Sequence, residues 1–121
     1  MALLTLKFLT DIKDSQYAIV EFHGELDVST LPQAEKQIAE LLGTFSRPHL
    51  IFDWQNLKYI NSDGIGYVVT VHAKLSKKNM ALSIARPQPQ VFDICNAIGL
   101  PEIIRMFKTL PEAISKTKNE K

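Results

Sequence analysis

The order of two kinds of apolar pattern along the chain constrains its fold more than any other feature. Two short apolar runs typical of β-strands come first, and segments with apolar residues at helical spacing then alternate with further strand-like runs. Two strands followed by alternating helix and strand predict an α/β fold. In such a fold one mixed sheet of four to five strands is covered by helices, and the crossovers are right-handed.

Turn-forming residues and helix caps place the predicted elements along the chain. The strands are predicted at residues 4–9, 17–22, 48–53, 80–85 and, as a short edge strand, 103–107. A polar break at residues 11–15 would let the first two strands pair as an antiparallel hairpin, and residues 54–61 are predicted to form a loop. Helices are predicted from Thr30 to Gly43, at residues 62–75 and 89–98, and in a short stretch that opens at Thr109.

Two capping boxes mark helix starts in this pattern. In a capping box, a hydroxyl and an acidic or amide side chain three residues later satisfy free backbone N–H groups. This spacing occurs at Thr30 with Gln33 and at Thr109 with Glu112. Gly99 is predicted to cap the third helix, whose core stripe comprises Val91, Ile94, Cys95 and Ile98.

Composition limits the protein classes that fit this chain. Its 121 residues suit a single domain, predicted at residues 1–115 with a polar C-terminal tail at 116–121. A formal net charge of +1 gives no general attraction to nucleic acid or to an anionic membrane. No targeting segment or membrane span is evident, and the one cysteine, Cys95, is expected as a buried thiol. We therefore expect a soluble cytoplasmic protein that is a monomer when free.

The residues most suited to a functional role are concentrated at positions 59–66, where a helix is predicted to begin. Asn61 and Ser62 are strong N-cap residues, and Asp63 in the first turn complements the positive end of the helix dipole. Gly64 and Gly66 are poor helix formers and indicate a close approach to the backbone. The segment has two interpretations, a capped helix start without further role or a serine presented for modification. A phosphate at this position would be stabilised by free N–H groups and the dipole.

Other chemical signatures are weak. The histidines at positions 23, 49 and 72 lack the spacing of a metal site, and His72 is expected as a core or boundary residue. The chain has no phosphate-cradling glycine loop, no dinucleotide fingerprint and no G-x-S-x-G nucleophile elbow. Lys74, Lys77 and Lys78 fit a solvated helix end, and Trp54 is expected at the sheet margin. We therefore predict no enzyme activity, no cofactor and no metal.

Three stretches give the chain a family resemblance. The sequence N-S-D-G-I-G at residues 61–66 resembles the D-S-S-G-L-G signature of STAS-domain anti-sigma factor antagonists. F-H-G-E-L-D at residues 22–27 resembles the F-x-G-x-L-D strand-end pattern of that family, and L-I-F-D at residues 50–53 resembles its strand ending in aspartate. The family pattern also matches Gly99-Leu100, the segment that follows it and the Ala-bearing last helix. The resemblance therefore spans nearly the whole chain.

The resemblance implies a single STAS domain and a partner-switching function in bacterial transcription regulation. Ser62 matches the family phosphoacceptor. An anti-sigma factor serine kinase would phosphorylate Ser62 and release the protein, and a metal-dependent serine phosphatase would reverse the reaction. Asp27 matches a family aspartate beside the acceptor. The implied partner-binding residues are Asp27, Ser29, Thr30, Asn61, Asp63, Gly64 and Ile65.

The chain departs from the family pattern on both sides of the acceptor. Asn61 stands where the family usually has aspartate, and Asp63 stands where it has serine or threonine. Asn61 can still cap the helix, but it carries no charge. An alternative therefore stays open, a STAS scaffold or a subunit of a lipid-transport or signalling complex that is never phosphorylated.

Overall fold

The structure is a computed structural model that describes residues 2–9 and 16–119. The predicted polar break at 11–15 lies outside the described residues. The strands are β1 (Leu4–Leu9), β2 (Tyr17–Leu26), β3 (His49–Ile60), β4 (Ala81–Ala85) and β5 (Arg105–Phe107). The helices are α1 (Leu31–Thr44), α2 (Ser62–Ser76), α3 (Pro89–Ile98) and α4 (Leu110–Asn119), with one 3-10 turn at Leu100–Glu102.

The five strands form one sheet in the order β1-β2-β3-β4-β5. β1 pairs with β2 antiparallel, and the remaining neighbours are parallel, so the predicted α/β fold with a mixed sheet is confirmed. Helices supply the connections that parallel strands require. In this sheet the carboxyl ends of β2, β3 and β4 point in one direction, and the loops that leave them share one edge.

The predicted loop at residues 54–61 is wrong, because β3 continues to Ile60. The apolar residues Trp54, Leu57 and Ile60 are fully buried, but they recur every third residue instead of every second. The pairing of β2 with β3 shifts register twice in this part of the sheet, and such bulges break the alternation from which a strand is recognised. The predicted position of Trp54 at the sheet margin is also wrong, since its ring packs edge-on against Phe22 at a centroid distance of 6.1 Å.

The two faces of the sheet carry cores of unequal size. The larger core receives apolar side chains from α1, α2 and α3, including Ile38, Val68 and Cys95. The smaller core lies under α4 and centres on Ile51 and Ala113. Cys95 is buried as predicted.

The C-terminal cap of α3 is also confirmed. Gly99 has φ 93°, and its N–H donates to the carbonyls of Cys95 and Asn96. Ile98, predicted in the core stripe of α3, is 53% exposed at the last residue of the helix.

Of the two predicted capping boxes, the one at Thr30 needs correction. The Thr30 hydroxyl donates to the Glu25 carbonyl at 2.9 Å, and Gln33 donates to the Leu4 carbonyl at 2.8 Å, so no capping box forms there. At Thr109 the capping hydroxyl does accept from the Glu112 N–H at 3.2 Å.

The predicted domain boundary at residue 115 falls inside α4. The helix continues to Asn119, and Thr117 is buried with its hydroxyl donating to the Ile114 carbonyl at 2.7 Å. None of the helices in the described ranges is long and apolar enough to span a membrane.

Candidate functional site

The candidate site consists of two loops that leave neighbouring parallel strands. In the sheet Leu26 pairs with Ile60, so the loop after β2 and the start of α2 emerge side by side. The Asn61 N–H donates to the Leu26 carbonyl at 3.3 Å and joins the two segments directly. Residues 27–30 and 61–63, which the sequence analysis singled out separately, therefore form one edge of the molecule.

Asn61 caps α2 and fixes the position of Ser62. The side-chain oxygen of Asn61 accepts the Gly64 N–H at 3.0 Å, and its backbone carbonyl accepts the Ile65 N–H at 3.0 Å. Ser62 is consequently the first residue of the helix, and its side chain is exposed. Asp63 follows in the first turn and is exposed as well. The helix presents the Ser62 hydroxyl to solvent at its positive end.

Gly64 is the point where the two loops come closest. A Cβ atom at Gly64 would lie 2.7 Å from the Leu26 carbonyl oxygen and 2.9 Å from Cγ1 of Ile60. The absence of a side chain therefore allows β2 and α2 to approach each other, as the sequence analysis predicted. At Gly66 a Cβ atom would meet nothing within 4 Å, so the close approach predicted there is not observed.

The loop after β2 is organised by Asp27. Its Oδ1 accepts the Ser29 hydroxyl at 2.6 Å, the Ser29 N–H at 2.9 Å and the Thr30 N–H at 3.3 Å. The hydrogen bond from the Ser29 hydroxyl, followed by those from the two N–H groups, lowers the pKa of Asp27. The loop therefore holds a fixed negative charge beside the exposed start of α2.

The predicted site residues divide into accessible and buried groups. Ser29, Ser62 and Asp63 are exposed, and Asp27 and Asn61 are partly exposed. Three residues predicted to bind a partner are buried instead, namely Thr30, Gly64 and Ile65. These three hold the loops in place and offer no surface to a partner, because their side chains or backbone pack against β2 and the core.

Sequence reasoning missed two features of this edge. Val28 is 66% exposed between Asp27 and Ser29, and the one apolar residue in that polar stretch was an available signal. A groove of about 390 Å³ runs between α1 and α2, and its lining includes Asp63, Tyr67 and Glu35. Burial, with a contribution from Glu35, raises the pKa of Tyr67. The groove depends on the packing of two helices, so no local pattern indicates it.

The site offers no metal-ligating constellation. The described part of the chain contains no group of three His, Cys, Asp or Glu side chains that could hold an ion. His23 lies within 3.0 Å of Glu21 on the sheet. The edge offers the hydroxyls of Ser29 and Ser62 and the carboxylates of Asp27 and Asp63.

Comparisons with known proteins agree with this architecture. An anti-sigma F factor antagonist from Paenibacillus polymyxa is 22% identical over 98 residues, which are 81% of this chain and 84% of that protein. The crystal structure of an anti-sigma factor antagonist from Mycobacterium paratuberculosis has a TM-score of 0.80 at 20% identity, covering 98% of this chain and 95% of that one. The anti-sigma factor antagonist SpoIIAA in its unphosphorylated form has a TM-score of 0.76 at 20% identity, covering 98% and 99%. The family model of the STAS domain matches residues 7–113, and the chain belongs to the STAS domain family.

Proposed function

We propose that this chain is an anti-sigma factor antagonist that binds an anti-sigma factor serine kinase and is released when that kinase phosphorylates Ser62. The single observation that carries the proposal is the placement of Ser62. Its hydroxyl is exposed at the first residue of α2, next to a capping Asn61 and the fixed loop of Asp27. The three relatives described above are all anti-sigma factor antagonists by name, and their names support the same function.

The geometry favours a switch that acts at the surface. A phosphate on Ser62 would lie at the N-terminus of a helix of 15 residues, where N–H groups and the dipole stabilise an anion. We therefore expect the phosphorylated chain to keep its fold. The modification adds about 1.5 to 2 negative charges at neutral pH. Together with Asp27 and Asp63 these charges would convert a mildly acidic edge into a strongly acidic one.

The unmodified edge has the composition of a partner-binding surface. Val28 supplies an exposed apolar contact, and the α1–α2 groove begins at Asp63. A partner seated over Val28 and the groove would cover Ser62. A phosphate introduced beneath such a partner would be desolvated and repelled by any acidic neighbour, which lowers affinity. In this proposal a metal-dependent serine phosphatase restores the binding form in the cytoplasm, and the free chain is a monomer without enzyme activity.

The test compares two exposed serines on the same edge. Wild type, Ser62→Ala and Ser29→Ala are incubated with ATP and the purified kinase from the source organism, and phosphate is located by peptide mass spectrometry. We expect wild type and Ser29→Ala to gain one phosphoryl group on Ser62, and Ser62→Ala to gain none. Calorimetry should then show that the kinase binds unmodified wild type and Ser62→Ala, and binds the phosphorylated protein at least about tenfold more weakly.

Phosphate on another residue, or equal affinity of the two forms, would refute the switch. Protein isolated from its native source provides a second test of the modification. If Ser62 carries no phosphate under any growth condition, the constitutive STAS scaffold is the better description.

A further inference from the structure

The α1–α2 groove is longer than the part of it that lies beside Ser62. The part described above has a volume of about 390 Å³, and a second part of about 250 Å³ lies further along the two helices. Leu42 and Lys74 line both parts, so the two form one continuous groove. Asp63 lines its near end and Lys77 its far end, and a helix rise of about 1.5 Å per residue places these two positions of α2 about 21 Å apart.

The middle of the groove is lined by apolar side chains that the fold leaves partly open. Residues at helical spacing on one side of each helix form this lining. Leu31, Leu42 and Tyr67 are only partly buried although they are large, and the small Ala39 between them is exposed. The last helix, α4, packs on the other face of the sheet and does not cover this strip. The groove therefore offers a partner an apolar strip with room for its side chains.

The two ends of the groove carry opposite charges. Glu35 and Asp63 line the end at which α1 and α2 begin, whereas Lys74, Lys77 and Lys78 line the far end. All five side chains are exposed, and none of them makes an ion pair with another described residue. A uniformly charged partner, such as nucleic acid or an anionic membrane, would be repelled at one end. The arrangement favours a partner with a basic group at one end and an acidic group at the other.

The direction of α1 and α2 gives the orientation of such a partner. Both helices begin at the edge that carries Ser62 and lead away from it, because each follows the carboxyl end of one of two parallel strands. A helix antiparallel to them would place its last turn over Glu35 and Asp63 and its first turn over the lysines. Basic residues in the last turn and acidic residues in the first turn also stabilise that helix through its own dipole. The charge pattern that matches the groove is therefore the pattern that such a helix favours by itself.

We propose that the α1–α2 groove binds an amphipathic helix of a partner protein, antiparallel to α1 and α2. The apolar face of this helix would cover the apolar lining, as in other helix-in-groove complexes. Its basic last turn would pair with Glu35 and Asp63, and its acidic first turn would pair with Lys74 and Lys77. The inference rests on the proposed function only for the identity of the protein that carries the helix, which would be the partner that covers Ser62.

The test is a fluorescence-anisotropy titration of a labelled synthetic peptide of about 18 residues with the full chain. The peptide has an acidic first turn, leucines at i, i+3, i+4 and i+7 spacing, and a basic last turn. We expect saturable binding that weakens as the salt concentration is raised. A second peptide keeps the leucines but exchanges the two charged turns. It should bind at least about fivefold more weakly, because it must lose either its own dipole interactions or its ion pairs with the groove.

Two double variants with the same change in net charge test the far end. Lys74→Glu with Lys77→Glu should weaken binding of the first peptide at least about fivefold. Lys36→Glu with Lys58→Glu alters two exposed lysines outside the groove and should change the affinity by less than about twofold. Lys78 is kept in both, because its ammonium donates to the Leu42 carbonyl at 3.4 Å.

Two exposed alanines test the apolar part in the same way. Ala39→Gln puts a longer side chain into the groove and should also weaken binding at least about fivefold, whereas Ala73→Gln changes an alanine of α2 outside the groove and should not. Circular dichroism shows whether each variant is folded.

Three results would overturn the proposal. They are the absence of saturable binding up to about 1 mM protein, equal affinity for the two peptides, and equal effects of a groove variant and its matched control. The titration contains neither kinase nor ATP. Its failure would therefore leave the proposed switch at Ser62 standing, and failure of that switch would leave the titration unchanged.

Discussion

Two glycines of the signature segment, Gly64 and Gly66, should respond to alanine in opposite ways. Gly64 and Gly66 both lie in α2, where alanine is favoured over glycine by about 1 kcal/mol in a helix interior. Gly66 has open space around its Cα, so Gly66→Ala should realise most of this gain. For a domain of 121 residues, about 1 kcal/mol corresponds to a rise in Tm of roughly 4 °C.

Gly64→Ala adds a methyl group where none fits. The new Cβ would lie 2.7 Å from the Leu26 carbonyl oxygen, which belongs to the backbone of β2 and cannot rotate away. Inserting a methyl group into a packed region costs about 1 to 3 kcal/mol, which exceeds the propensity gain. We expect a net loss of up to about 2 kcal/mol in the free energy of unfolding. The displaced Leu26 should also move Asp27 away from Ser62.

Urea unfolding followed by circular dichroism measures both changes, and the two variants serve as each other's control. If Gly64→Ala is as stable as wild type, Leu26 does not confine the helix start as the structure indicates. If Gly66→Ala is destabilised, the open space at that position is filled in solution. If Ser62 is phosphorylated as proposed, the rate of that reaction in the two variants separates an effect on stability from an effect on geometry. Only Gly64→Ala should change its rate, because only that substitution shifts the neighbouring loop.

Three further predictions follow from the charges and the thiol. Arg86→Ala should lower the free energy of unfolding by about 3 kcal/mol, because Asp53 is 3% exposed and would lose a two-point ion pair. Urea titrations measure this change, and a loss of less than about 1 kcal/mol would contradict the expectation. Ser29→Ala should raise the pKa of Asp27, measured by NMR. The lowered pKa of Asp27 stabilises the fold above the unfolded-state value of about 3.9 and is lost as pH falls through the folded value, so acid unfolding should begin at higher pH in the variant. Burial raises the pKa of the Cys95 thiol to about 11, so alkylation near neutral pH should need unfolding, and rapid alkylation of the native protein would contradict the buried position.

The sequence was sufficient for features fixed by local chemistry. The N-cap at Asn61 and the C-cap at Gly99 depend on residues within four positions of each other, and both are observed. The alternation of strands and helices was likewise readable from apolar spacing. These features depend on backbone hydrogen bonds between near neighbours and on which face of an element is apolar. Both can be recognised from local sequence patterns.

Features that depend on distant partners could not be predicted in the same way. Thr30 has the spacing of a capping residue, but its hydroxyl donates to Glu25 because the loop after β2 folds back on the strand. The end of β3 was hidden by register shifts that depend on β2. The residue type of Gly64 indicated a close approach to its backbone. The group that approaches it, the Leu26 carbonyl, could not be predicted, because it lies 38 positions earlier in the chain.

The structure shows where the two residues that flank Ser62 place their side chains. Asn61 is half-buried and points its side-chain oxygen at the Gly64 N–H, so its cap needs no charge. Asp63 is exposed and lines the α1–α2 groove near Tyr67. The acidic group next to Ser62 therefore lies on the groove side of the serine. In the proposed function, a partner that recognises the unmodified edge would then need a basic or donor group over the groove to pair with Asp63. In the proposed function, the exchange of charge around Ser62 would bear on which partner binds, and it leaves the helix start that presents the serine intact.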